Sequence, residues 1–195
     1  MRLAIVIILG TLMVPERAHA DSVETASHVR PTTGEIRRII EAGMSTSSTF
    51  RRLASELNAS DVIVYVDPKL TRAALGGYLS HTVVASGEYR YLRVAIETAG
   101  PPRSLVPILA HELQHAVEVS RARDVRDADA LERLFASLAI PYGCAQSSCF
   151  ETHVATDVER LVKSEMTSVG RDQRLLKERR PVSSSPAAHG ARSLR

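Results

Sequence analysis

The chain predicts an α+β domain: a small, mostly antiparallel sheet packed with one long central helix and with further helices toward the C-terminus. Three observations carry this. Residues 61–68 (DVIVYVDP) form a short β-branched run stopped by Pro68. In residues 89–97, Tyr91, Arg93, Ala95 and Glu97 alternate with Leu92, Val94 and Ile96, the pattern of a half-buried antiparallel strand. Residues 105–122 are apolar at helical spacing. The 195 residues are 44% hydrophobic and 24% charged, enough for one sizeable core and short for two.

The elements follow in order. Arg2, the apolar run from Leu3 to Val14, Pro15 and Ala18-His19-Ala20 read as a signal peptide, residues 1–20, cleaved after Ala20. The run is shorter than the roughly 20 apolar residues needed to cross a bilayer, and no other stretch is a better candidate, so no stable membrane span is expected after its removal. The mature protein is then expected to be secreted or periplasmic. Residues 21–33 lack periodicity and read as a loose arm. Thr32 or Thr33 suits the cap of a helix over 35–41, with Ile36, Ile39 and Ile40 on one face and Gly43 at its end. The Ser/Thr cluster at 45–48 starts a second helix, with Phe50, Leu53, Ala54 and Leu57 as its stripe. Strand 61–68 follows, then a connector with a bend at Gly76-Gly77. Strands over 78–85 and 89–97 flank the turn Ser86-Gly87-Glu88.

Gly100-Pro101-Pro102 ends the sheet. Ser104 is a favourable cap, and Pro107 falls in the first turn of a helix over 105–122. A helix over 127–139 follows, with Ala130, Leu131, Leu134, Phe135 and Leu138 on one face. After a loop comes a last helix over 150–166, with Val154, Val158, Leu161 and Val162 as its buried stripe. Residues 21–170 thus make a single domain. Residues 171–195 turn to Arg, Ser, Pro and Ala and read as a disordered basic tail.

The net charge of +3 and a pI near 9.1 are partly tail-borne, which favours a solvated tail over a dedicated anionic partner. The absence of Trp and the 4% aromatic content argue against a stacking platform for nucleic acid. Nothing in the pattern calls for an oligomer, so a monomer is expected. Cys144 and Cys149 enclose four residues, and in an oxidising compartment a disulfide between them is expected, with free thiols or metal ligation as the alternatives.

The chemistry concentrates in His111-Glu112-Leu113-Gln114-His115. On a helix, positions i and i+4 stand one turn apart on the same face, so two imidazoles converge on one metal ion. Glu112 projects beside the same ion, where it takes a proton from a water that the ion activates. Two His and a Glu on an otherwise apolar helix would be costly to bury without such a role.

This H-E-x-x-H resembles the active-site helix of zincin metallopeptidases. The resemblance implies a minimal zincin-like domain, Zn²⁺ as cofactor, Glu112 as general base, and a peptide or protein substrate. It implies that strand 89–97 is an edge strand that receives extended peptide, the alternative being an ordinary sheet strand. A third ligand must come from elsewhere. The metzincin spacing would need Gly and His or Asp where the chain has Glu118 and Arg121. The gluzincin pattern puts a Glu on a later helix, and Glu151 fits best, with His153 and Glu118 as rivals. Gluzincins often carry an Asp four residues after that Glu; Ala155 stands there, so a carboxylate that orients a ligand His must come from Asp157 or Glu118. Tyr142, His153 and His81 are candidates for oxyanion stabilisation. The competing function is a non-catalytic secreted zinc-binding or interaction protein on the same scaffold.

Overall fold

The computed structural model describes residues 27–69, 76–140 and 151–178. Its elements run β1 (Val29–Pro31), α1 (Gly34–Thr46), α2 (Ser48–Asn58), β2 (Val62–Pro68), β3 (Gly77–Leu79), β4 (Val84–Ser86), β5 (Tyr89–Ile96), α3 (Pro102–Arg121), α4 (Ala128–Leu138) and α5 (His153–Glu178). The α+β class holds. The sheet, however, is mixed rather than mostly antiparallel: β1 and β5 both pair with β2 in parallel, and β3 and β4 pair with β5 antiparallel. Alternation in 89–97 signals one buried face, and that is compatible with either direction of pairing.

β5 is interior. It bonds β2 along one side and β3 and β4 along the other, so the edge that faces the motif helix is β3–β4, not 89–97. The loose arm expected over 21–33 also contains β1, whose register on β2 (Val29 opposite Val64) buries Val29. A three-residue strand has too few residues to show a period.

The helices pack against one face of the sheet. Val62, Val64, Val66, Leu92, Val94 and Ile96 meet Ile36, Leu53, Leu109 and Leu113 in a single core. Thr33 caps α1 by accepting from the Ile36 N–H. Gly43 does not end α1, which continues to Thr46; a Cβ at Gly43 would lie 2.7 Å from the Phe50 ring, so this glycine serves the close packing of α1 on α2. Ser47 caps α2 by accepting from the Phe50 N–H, 2.9 Å, and donates to Glu165 on α5. Glu165 also accepts from Ser48 and Thr49, which fastens α5 to the start of α2.

Helix α3 begins at Pro102, earlier than Ser104 suggested, because a proline at the first helical position needs no N–H partner. Its whole central stretch, Leu105 to Val119 apart from Ile108, is buried. Asp127 caps α4. In α5 the buried face is Ala155, Val158 and Val162, while Val154 and Leu161 are about half exposed, so the helix is rotated from the expected stripe. Gly170 does not end it; α5 runs on to Glu178, through Arg and Leu residues of good helix propensity, so the tail expected over 171–195 is helical as far as 178, and residues 179–195 lie outside the described residues. Among the described residues no helix is long and apolar enough to cross a membrane.

Candidate functional site

Helix α3 carries the site, and two contacts fix its position. At its C-terminal end, Arg90 of β5 is fully buried. It grips Asp61 through Nε and Nη2 at 2.8 and 2.7 Å and donates through Nη1 to the carbonyls of Val119, Ala122 and Val125. Those carbonyls lie at and just beyond the helix terminus; Val119 and Ala122 also accept from the backbone N–H groups of Ala122 and Val125, and Arg90 adds a charged donor to that turn. Toward its N-terminal half, β3 lies against it: a Cβ on Gly77 would meet Ile108 at 3.1 Å.

Between these points the helix aligns His111 and His115. Their Nε2 atoms are 3.2 Å apart and their rings are nearly perpendicular. Both are buried. The His115 Nδ1–H donates to Glu118 Oε2 at 3.0 Å, and the ring edge meets Phe135. With the proton on Nδ1, the Nε2 lone pair of His115 faces His111. Two imidazoles on one tetrahedral zinc, each about 2.0–2.1 Å from it, would hold their nitrogens about 3.3 Å apart. The observed separation fits that pair of donors.

Glu151 joins them. Its Oε2 lies 3.3 Å from His111 Nε2. It stands just before the first residue of α5 rather than within the helix; Thr152 is the cap, accepting from the Ala155 N–H at 3.1 Å. Glu159, one face of α5 further along, brings Oε2 to 3.2 Å from His111 Nδ1, within ionic reach but outside hydrogen-bond alignment, so that buried nitrogen has no hydrogen-bond partner. Each imidazole therefore has a carboxylate behind Nδ1 and turns Nε2 toward the other. Among the described residues no three His, Cys, Asp or Glu side chains form a ready-made coordination shell. His111 Nε2 instead contacts both His115 Nε2 and Glu151 Oε2.

The electrostatics follow the contacts. Burial alone would lower the His111 pKa, but the hydrogen bond to Glu151 and the charges of Glu112, Glu151 and Glu159 outweigh it and raise it above the usual histidine value. Burial would raise Glu151, yet the His111 contact and the charges of His111 and His115 hold it below the usual carboxylate range. Together they favour a protonated His111 against an ionised Glu151, and a metal ion held at this contact would compete with that proton. Burial pushes the Glu112 carboxyl up, against the pull of the two imidazoles and the Leu79 backbone amide of β3.

Of the rivals, Glu118 serves His115 from behind, and His153 is exposed on the first turn of α5. Asp157 is turned to solvent and paired with Arg160, so of the two expected orienting carboxylates only Glu118 stands at a ligand imidazole. Ala155, where an Asp was sought, is fully buried in the core. Glu159 is the residue that spacing did not single out. Once Ala155 and Val158 are known to face inward, its place beside them follows from the helical period. Glu159 also lines an open cleft of about 410 Å³ with Arg103, Pro107, Ile108, Lys163 and Met166. His81 is exposed between β3 and β4. Tyr142, Cys144, Cys149 and residues 1–20 lie outside the described residues. Compared with family models, curated proteins and solved structures, the chain finds no match in any of the three.

Proposed function

We propose that the protein is an exported zinc-dependent metallopeptidase, in which His111, His115 and Glu151 hold Zn²⁺ and Glu112 is the general base. The observation that carries this reading is the pair of buried Nε2 atoms 3.2 Å apart, with Glu151 Oε2 3.3 Å from one of them. Two imidazole lone pairs held face to face in a dry environment are unfavourable unless a cation or a proton lies between them.

Zinc held there supplies Lewis acidity, which acidifies water and polarises a carbonyl. The remaining work belongs to the chain. Glu112 takes the proton of the attacking water and hands it to the leaving amine; its raised pKa suits a group that must hold the proton between the two transfers. The Leu79 amide of β3 holds the Glu112 carboxyl in place, which ties the base to the sheet edge. That edge, β3–β4, pairs with no further strand among the described residues, and an extended peptide adds to it as one.

Two paired measurements test the reading. Metal analysis of wild type against His111→Ala should find stoichiometric zinc only in wild type. Equal metal in both would remove the site. Hydrolysis of an unstructured protein should be lost in Glu112→Gln while zinc is kept. Zinc binding without hydrolysis of any substrate would leave a non-catalytic zinc protein instead.

A further inference from the structure

We propose that Thr152 is a positioning residue for the metal donors: through Glu118 its hydroxyl couples the orientation of His115 to the start of α5, and so to the place of Glu151. The proposal rests on the zinc site inferred above and adds how that site is assembled from two separate helices.

The hydroxyl is committed in both directions. Thr152 Oγ1 accepts from the Ala155 N–H at 3.1 Å, so its single proton is the group that reaches Glu118 Oε1 at 2.7 Å. The other oxygen of Glu118 accepts from His115 Nδ1 at 3.0 Å. Glu118 thus spends one oxygen on its own helix and one on α5. An i,i+3 contact within α3 would orient His115 without regard to where α5 lies; the second oxygen removes that independence. Thr152 is 3% exposed and Glu118 8%, so water does not substitute for either partner.

The neighbouring residue gains from the same bond. Glu151 precedes Thr152 directly, and its carbonyl accepts from the Ile140 N–H at 2.8 Å. The segment that carries the third donor is therefore held on one side by a backbone bond and on the other by the Thr152–Glu118 bond. The chemistry narrows the residue type: a serine or threonine both accepts for a helix cap and donates to a carboxylate, whereas an aspartate caps equally well but has no proton to give.

The test is a double-mutant cycle read as zinc affinity, by competition with a chromogenic chelator, with the visible spectrum of the Co²⁺-substituted protein as a second readout. Thr152→Ala should weaken zinc binding about 10-fold or more and alter the Co²⁺ spectrum. Thr152→Ser should stay within about twofold of wild type. In a Glu118→Gln background, Thr152→Ala should add no more than about a further twofold, because both substitutions break one chain of contacts. Thr152 acting only as a helix cap would give the same loss in both backgrounds, and that outcome overturns the proposal. Should Thr152→Ala fail to fold, Thr152→Gly removes the donor at a smaller cost to the cap; it should bind zinc as weakly as the alanine variant was expected to, and wild-type affinity there would overturn the proposal. Wild-type protein that takes up no zinc removes the site itself, whereas a zinc-loaded wild type with additive losses removes only the coupling.

Discussion

Asp61 and Arg90 meet side-on, carboxylate to guanidinium, at the point where the sheet hands over to the C-terminal end of the motif helix. Arg90 alone spans Asp61 and the last carbonyls of α3, so one side chain sets how far that helix, with its two histidines, stands from β5. A lysine offers one point charge where the fork of an arginine is needed. Arg90→Lys should therefore destabilise the fold by about 2 kcal/mol, and Arg90→Ala by about 3–5 kcal/mol, since it removes the partner of Asp61 and the side-chain donor to the carbonyls of Val119, Ser120, Ala122 and Val125. The Arg90 hydrogen bond holds the Asp61 carboxyl below its ordinary 3.8, against a smaller opposing effect of burial. A depressed carboxylate contributes stability that is present above 3.8 and is lost as the pH falls through its lower folded value. Chemical denaturation across that acid range should show the loss in wild type and a flatter profile in Asp61→Asn.

Zinc uptake should depend on pH in a direction set by His111. Its pKa is raised above 6.5, so its interaction with Glu151 is fully present below 6.5 and fades as the pH rises through the higher folded value. Zinc must displace that proton, and apparent affinity should climb with pH through this window and level off above it. Glu151→Gln removes the hydrogen bond that raises His111, so the plateau should begin at lower pH while the affinity on the plateau falls. Calorimetric titration in buffers of different ionisation enthalpy would count the released proton. An affinity that does not change between about pH 5 and 8 would contradict the arrangement of these two groups.

Glu159 should matter for metal and little for folding. Its side chain is 41% exposed, and the contact that distinguishes it is the one with His111 Nδ1. Glu159→Gln should lower zinc affinity about 10-fold, in the usual range for a carboxylate behind a ligand imidazole, with a melting temperature close to wild type. Lys163→Gln, in the same cleft, should leave zinc affinity unchanged and serves as the control. A large fall in melting temperature without a change in affinity would assign Glu159 to the packing of α5 on α3 instead.

What the sequence showed and what it hid divide along the reach of the interactions. The motif, a helix cap at Thr32 or Thr33 and the stripes of α2 and α4 are written in residues a few positions apart, and local patterning exposes them. Glu151 is singled out by the gluzincin pattern, and its Oε2 lies 3.3 Å from His111 Nε2. Sheet order is non-local: nothing within 89–97 tells that β2 flanks it on one side and β3–β4 on the other, and a three-residue β1 has no period to read. Arg90 carries no local sign of its burial, because its partners lie 29 to 35 residues away. In α5 the expected stripe included Val154 and Leu161, whereas packing against α3 buries Ala155 with Val158 and Val162, which places Glu159 beside His111.

The approach of β3 to α3 gives the last prediction, which separates catalysis from metal binding. Gly77 pairs with Ile96 and faces Ile108, so an added Cβ would stand 3.1 Å from both side chains and 3.2 Å from the Ala95 carbonyl. The isoleucines can give a few tenths of an ångström, but the carbonyl belongs to the neighbouring strand and cannot retreat without moving the pairing. Gly77→Ala should therefore shift β3 outward and carry the Leu79 amide with it, loosening the contact that holds the Glu112 carboxyl. The histidines sit on α3, which Arg90 also holds at its C-terminal end, so a displaced β3 should move them less than it moves the base. Zinc affinity should stay near wild type while kcat/KM for an extended peptide falls about 10-fold or more, the scale expected when a catalytic group is displaced by a fraction of an ångström to one ångström. Gly87→Ala, at a turn with φ of 59° on the far side of the β4–β5 hairpin, should cost stability and leave kcat/KM alone. Equal losses of zinc and activity in Gly77→Ala would place β3 in the support of the metal rather than of the base.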